Sequence, residues 1–155
     1  MKPFLSLITN IAIPHFGSFV GSFFSVAGIE TWYIYLNKPS FNPPNWIFAP
    51  VWTILYTLIG IAFYLFHKKD QFKTKKAYIL YAFHIFVNAI WSILFFKMHQ
   101  LELALIDIIL MIVSLIVLMK WFYNSSRLSF YLLIPYMAWL CFAFLLSCQI
   151  LILNS

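Results

Sequence analysis

The chain has 155 residues, of which 64% are hydrophobic, 21% aromatic and only 9% charged, and its formal net charge is +6. A soluble domain carries roughly a quarter charged residues to coat its surface, so the mean hydropathy of +0.91 excludes a water-soluble globule, a disordered chain and a secreted disulfide scaffold. Nucleic acid is not implied by the basic excess, because Lys and Arg stand between apolar runs rather than interleaved with aromatics on one face.

Lipid is the solvent that fits. Hydrocarbon offers no partner to backbone polar groups, so apolar runs of about 20 residues are helices, too long for barrel strands. The first run predicts a helix over residues 5–27. It outlasts the roughly 7 to 15 apolar residues of a signal peptide and shows no small-x-small cleavage site before Glu30, so it reads as a retained span. Gly17 and Gly21 within it form a GxxxG, serving either as a homodimer seam or as an internal contact, and Pro14 should kink it. Residues 28–45 then form a long loop rich in aromatics, with Pro39, Pro43 and Pro44. Proline fixes φ and holds its predecessor extended, so this segment continues neither neighbouring helix; it reads as a lid or as an interfacial aromatic belt. Further helices are predicted over 46–66, 77–97, 102–120 and 129–152. Pro135 lies inside the fifth, as do Cys141 and Cys148, which are too far apart along a helix to pair and read as packing residues.

Five spans leave the termini on opposite sides. Lys2, Lys68, Lys69, Lys73, Lys75, Lys76, Lys120 and Arg127 fall on one side, and only Lys38 and Lys97 on the other. The positive-inside rule therefore predicts a cytoplasmic N-terminus and an outer C-terminus.

At about 1.5 Å per residue, Trp52, Asn88, Trp91, Asp107, Ala143 and Ser147 all lie roughly 7 to 14 Å below the outer face. A polar and aromatic layer from four helices thus collects beneath the loop, as a ligand cavity would require. A charge in hydrocarbon is costly, so Asp107 should face a partner or water; Asn88 reads as interhelical glue or as a ligand contact. His84 shares a face with Asn88 and Trp91 at helical spacing, and a lone imidazole without a second ligand is more often packed than metal-bound. No Walker loop, dinucleotide fingerprint, zinc spacing or Ser/His/Asp set appears, so the reading includes no catalytic residues, no metal site and no required cofactor.

The motifs resemble a known family. Trp32-Tyr33, Leu36, Lys38-Pro39, Pro43-Pro44, Trp46, Pro50, Trp52, Leu55-Tyr56 and Gly60 follow the loop and second-helix signature of the TspO/MBR proteins, the tryptophan-rich sensory or translocator proteins related to the peripheral benzodiazepine receptor. Asn88, Trp91 and Phe95-Phe96 match the third helix, Ala104-Leu105 with Asp107 the fourth, and Pro135-Tyr136, Trp139, Phe142-Ala143 and Leu146 the fifth. The resemblance implies an all-α bundle of five transmembrane helices in one domain spanning 1–155, commonly a homodimer, with a pocket for porphyrin, haem or other flat hydrophobic small molecules under the first loop. Carried over by position, the pocket comprises Phe48, Ala49, Val51, Trp52, His84, Asn88, Trp91, Asp107, Leu110, Trp139, Ala143, Leu146 and Ser147, with Trp32 in the lid. Phe41 departs from a common Trp, His84 from a Gln found in some relatives and Ser147 from a common Asn, and the C-terminus lacks the Tyr-then-basic pattern of the proposed sterol motif. The reading that follows is a membrane binding or sensory protein in which Trp52, Trp91 and Trp139 enclose a tetrapyrrole. The alternatives are light- and oxygen-dependent porphyrin degradation, with a nearby Trp as radical partner, and a carrier of tetrapyrrole, sterol or lipid.

Overall fold

The computed structural model describes residues 3–155, so Lys2, counted above among the cations of one side, lies outside the described residues. The described residues form five long helices: α1 (Pro3–Thr31), α2 (Phe48–Asp70), α3 (Lys75–Ser92), α4 (Leu101–Ser125) and α5 (Arg127–Asn154). No strand occurs among the described residues. All five are long and apolar enough to cross a membrane, α2 together with the 3-10 turn before it and α3 with the π turn after it.

α1, α2, α4 and α5 are longer than their apolar runs predict, and α3 is so together with its π turn, because apolarity marks the hydrocarbon layer and a helix continues beyond it into the headgroups. The effect is largest between α4 and α5, where the expected loop shrinks to Ser126 alone, extended at φ −152°. Both internal prolines are accommodated without ending a helix: α1 runs through Pro14 and α5 through Pro135. The third span changes character at its outer end, where Ile93–Lys97 form a π turn closed by the Met98 amide donating to Ile93 O at 2.9 Å.

Packing neighbours run α1–α2–α5–α4–α3 and back to α1, a closed ring of five. The half of the ring nearer the α2–α3 and α4–α5 connections is solid. Phe63 stacks on Tyr81 at 3.8 Å and Phe66 on Phe122 at 4.4 Å, and Leu118, Leu133 and Ala77 fill the gaps between them. Large apolar side chains such as Phe4, Phe16, Phe19 and Phe23 are exposed on the outside of α1, the surface that acyl chains cover.

All four glycines of the chain serve the docking of α1. A Cβ on Gly17 would meet Ile85 Cγ2 at 3.1 Å, one on Gly21 would meet Ser92 Oγ at 3.0 Å, and one on Gly28 would meet Phe96 Cβ at 2.6 Å. The GxxxG of α1 is therefore occupied by α3 of the same chain, which corrects its reading as a homodimer seam. On the other flank, Gly60 of α2 lies so close to α1 that a Cβ would fall 2.5 Å from Ile11 Cα and 2.8 Å from Asn10 O. Close backbone approach of this kind is the usual source of helix association in lipid, where no hydrophobic effect pulls helices together.

Gly60 yields a test with an unusual sign. Gly→Ala in an unconstrained helix gains about 1 kcal/mol, whereas here the added methyl meets backbone, and overpacking costs about 1 to 3 kcal/mol. Gly60→Ala is expected to lower the thermal unfolding midpoint in detergent, and an unchanged or raised midpoint would contradict the close crossing.

Candidate functional site

The segment between α1 and α2 is ordered by its own polar groups. It begins with a 3-10 turn at Tyr33–Tyr35 and ends with another at Asn45–Ile47. Tyr33 is buried, and its hydroxyl donates to Asn42 Oδ1 at 2.6 Å. Burial raises the Tyr33 phenol above its ordinary pKa of 10.0, against the smaller lowering effect of the Asn42 bond, so it remains a donor at neutral pH. Asn37 and Asn154 pair through their amides: Asn37 N donates to Asn154 Oδ1 and Asn154 Nδ2 to Asn37 O, both at 2.9 Å. The prolines keep the rest of the segment out of helix, and these bonds fasten it to the last turn of α5.

Beneath this cap lies a cavity of about 440 Å³, within the roughly 300 to 1,000 Å³ of small-molecule sites. Tyr33 and Asn45 of the cap contribute to its lining, and aromatic rings dominate the walls. Trp52 stacks on Tyr56 at 5.1 Å and meets Trp139 edge-on at 6.3 Å, Phe48 meets Trp139 edge-on at 6.1 Å, and Trp91 stacks on Phe95 at 5.0 Å. The Trp91 Nε1–H is buried and has no hydrogen-bond partner among the described residues. Indoles at right angles to one another, with Tyr56 and Phe95 stacked on two of them, give a slot suited to a flat apolar molecule.

The floor is polar. Tyr56 Oη donates to Asn88 Oδ1 at 2.6 Å; Asn88 Nδ2 donates to Tyr136 Oη at 2.9 Å and to Met111 Sδ at 3.3 Å. His84 continues the chain, with Nε2 at 2.9 Å from Tyr136 Oη and Nδ1 at 2.7 Å from Ser114 Oγ. Ser114 Oγ donates to Met111 O at 3.0 Å, so it accepts from His84, which places the imidazole proton on Nδ1 and makes Nε2 the acceptor of the Tyr136 hydroxyl. Every donor then has an acceptor, and the chain links α2, α3, α4 and α5 across the bundle.

Phe48, Ala49, Trp52, Asn88, Trp91, Trp139, Ala143, Leu146 and Ser147 all line this cavity, so the structure brings together nine of the residues named from the sequence. Five others lie elsewhere. His84 is 1% exposed, with both ring nitrogens engaged by Ser114 and Tyr136, so it supports the floor without forming it. Leu110 is 45% exposed on the outside of the bundle. Val51 packs against the core beside the cavity. Trp32 stacks on His99 at 4.3 Å and packs edge-on against Phe95, which places it on the shoulder of the cap. Asp107 is buried outside the lining, and its Oδ2 has no hydrogen-bond partner among the described residues. The expected interhelical partner is thus not present at that oxygen.

Several lining residues are not among those assigned to the pocket from the sequence: His15, Ser25 and Met111, and also Tyr33, Tyr56, Phe95 and Phe96, which the sequence marks only as motif residues. The contribution of α1 was missed because its polar residues are scattered along an apolar helix. His15 Nε2 lies 3.0 Å from Thr57 Oγ1, and Ser25 Oγ donates to Ser92 Oγ at 3.2 Å. Tyr56 was detectable, since it sits one helical turn after Trp52 on the same face.

Comparison with known proteins agrees with this architecture. Residues 10–153 match the profile of the TspO/MBR family. The chain is 36% identical to the tryptophan-rich protein TspO of Archaeoglobus fulgidus over all of this chain and 98% of that protein. It is 38% identical to the human translocator protein over 83% of this chain and 78% of that one. It is also 31% identical to the tryptophan-rich sensory protein of Cereibacter sphaeroides over 71% and 68% of the respective chains.

The placement of His84 separates stability from cavity chemistry. His84→Leu leaves the Ser114 and Tyr136 hydroxyls without their partner, and unfolding in detergent should become easier by about 1 to 2 kcal/mol. His84→Gln, which restores a donor and an acceptor, should recover much of that loss. Equal stability of the Leu variant and the parent would show that the chain of hydrogen bonds does not hold the floor.

Proposed function

We propose a function from one established premise, that this chain belongs to the TspO/MBR family and is an integral, multi-pass membrane protein of the sensory and translocator group. On our reading it binds flat hydrophobic molecules, with tetrapyrroles such as porphyrin or haem as the leading class, in the chamber beneath residues 32–47. The observation that carries this reading is the aromatic slot itself: Trp52, Trp139 and Trp91 stand around about 440 Å³ of space with a polar floor at Asn88 and Tyr56. Flat rings fill such a slot by stacking, and a few fixed polar groups orient them. No metal-ligating group from the chain is required. His84 has no free nitrogen, and a porphyrin brings its own donors to any metal it carries.

Two further parts of the reading concern the molecule in its membrane. Lys68, Lys69, Lys73, Lys75 and Lys76 gather around the α2–α3 turn, and Lys120 and Arg127 flank the α4–α5 connection at the same end. By the positive-inside rule this end is cytoplasmic, so the capped chamber opens toward the outer leaflet. Pairing with a second copy belongs to the proposal as well, through a face other than Gly17 and Gly21, which α3 covers.

The test is direct. Titrating the purified protein with protoporphyrin should quench tryptophan fluorescence saturably. A Trp52→Phe, Trp91→Phe double variant should weaken binding at least tenfold, followed through porphyrin absorption because the variant has fewer reporters. Unsaturable quenching, or equal affinity in the double variant, would overturn the reading.

A further inference from the structure

The end of the bundle away from the chamber concentrates the charge of the chain. Lys68 and Lys69 close α2, Lys73 stands in the turn that follows, and Lys75 and Lys76 open α3; Lys120 lies near the end of α4, and Arg127 begins α5. All of these side chains are exposed. The two connections form one surface, because Phe66, just before Lys68, stacks at 4.4 Å on Phe122, just after Lys120. Of the four acids in the chain, Glu30, Glu102 and Asp107 belong to the other half of the bundle. Asp70 is the acid of this end, and it is turned inward: only 5% exposed, it accepts from Thr74 N at 2.9 Å and from Thr74 Oγ1 at 2.7 Å.

The surface is held in shape. Gln71 and Phe72 are consecutive left-handed residues, with φ of 50° and 64°, a costly conformation for residues that carry side chains. The turn keeps it because each of its amides is bonded: Gln71 N donates to His67 O at 2.9 Å, Phe72 N to Tyr78 Oη at 3.1 Å, Lys73 N to Asp70 O at 3.0 Å and Thr74 N to the Asp70 carboxylate. Phe72 stacks on Tyr78 at 4.5 Å and still leaves 60% of itself exposed beside the lysines. Leu128 and Tyr131 add exposed apolar surface next to Arg127. The cations are also placed against the local field. Lys75, Lys76 and Arg127 occupy the first turns of α3 and α5, where the helix dipole is already positive. Lys38 of the cap shows the contrast, since its Nζ is taken up by the main-chain oxygens of Tyr33 at 2.7 Å and Leu36 at 3.1 Å.

We propose that the paired α2–α3 and α4–α5 connections form a binding surface for anionic phospholipid, which gathers acidic headgroups around this end of the bundle in preference to zwitterionic ones. Clustered cations repel one another, and the inward-facing Asp70 leaves that repulsion to be relieved from outside. A phosphate lying among the ammoniums relieves it, and the acyl chains of the same molecule cover Phe72 and Leu128. A soluble anion meets the charge but not the apolar surface at the same level, whereas an acidic lipid meets both. Nothing in the chamber enters into this surface, so it and the ligand reading stand or fall separately.

The chain carries its own reporter. Trp121, beside Lys120, is the tryptophan of this end, and the other five belong to the cap or the chamber. The protein is reconstituted in vesicles of equal parts phosphatidylglycerol and phosphatidylcholine, with bromine on the acyl chains of one lipid and then of the other. The Trp121 signal is the difference between the parent and Trp121→Phe. The phosphatidylglycerol-to-phosphatidylcholine ratio that quenches Trp121 should exceed the bulk ratio at least threefold and return to it in about 1 M salt. It should also return to bulk when Lys68→Gln, Lys69→Gln, Lys73→Gln, Lys75→Gln and Lys76→Gln are combined, whereas Arg at the same five positions keeps the enrichment. Trp46, exposed at the cap and read through Trp46→Phe, should sense the bulk ratio. A bulk ratio at Trp121 in the parent would overturn the proposal and leave the surface to a soluble acidic partner. Enrichment that persists in salt or in the Gln variant, or that is equal at Trp46, would also overturn it. The salt comparison decides the matter if the Gln variant does not fold.

Discussion

A hydrocarbon solvent donates and accepts nothing, and the bundle answers that constraint with a single transverse chain of hydrogen bonds from Tyr56 through Asn88, Tyr136 and His84 to Ser114. Four helices contribute one or more members. The members bond across helices, with Met111 of α4 accepting from Asn88 and Ser114, so the relative rotation and depth of α2, α3, α4 and α5 are fixed together. This layer divides the molecule. On one side, stacked Phe and Tyr rings fill the ring of helices completely; on the other, indoles stand apart and leave space. The chamber has a firm floor because the polar chain is saturated from within.

The fifth helix of the ring is held differently. α1 contributes no member to that chain; glycines bring its backbone against its neighbours, and only short contacts such as His15 with Thr57 and Ser25 with Ser92 add polar links. The wall of the chamber formed by α1 thus depends on dispersion at close range. The opposite walls depend on directed bonds, and the cap depends on an amide pair and a lysine bonded to its carbonyls. Three kinds of interaction enclose one space, and its aromatic lining follows from what each leaves unsaturated.

Much of this was legible in the residue order. Apolar run length gives five spans because lipid permits few alternatives, and prolines mark the segment that is not helix. Depth arithmetic places Trp52, Asn88, Trp91, Ala143 and Ser147 at one level, and the structure brings all five to one cavity. Depth, however, says nothing of azimuth. Asp107 shares the level and faces elsewhere, and Leu110, one turn along α4, points outward to lipid. His84 lies on the face shared by Asn88 and Trp91, yet, held by Tyr136 and Ser114 of other helices, it does not reach the space. Such screening depends on which side chain of another helix arrives first, and no single helix records it. The glycines were legible as a close contact but not as to whose backbone makes it, since an internal partner and a second copy ask for the same small residues.

The π turn at Ile93–Lys97 has a consequence of its own. A turn of this kind holds an additional residue within one loop of the helix, and here two consecutive rings, Phe95 and Phe96, both reach the chamber, where a regular helix would splay neighbours about 100° apart. The upper wall therefore owes its double ring to chain length at this point as much as to residue identity. Removing one residue between 93 and 97 would straighten the spiral and swing one phenyl out toward the acyl chains, enlarging the vault without altering any of its remaining side chains.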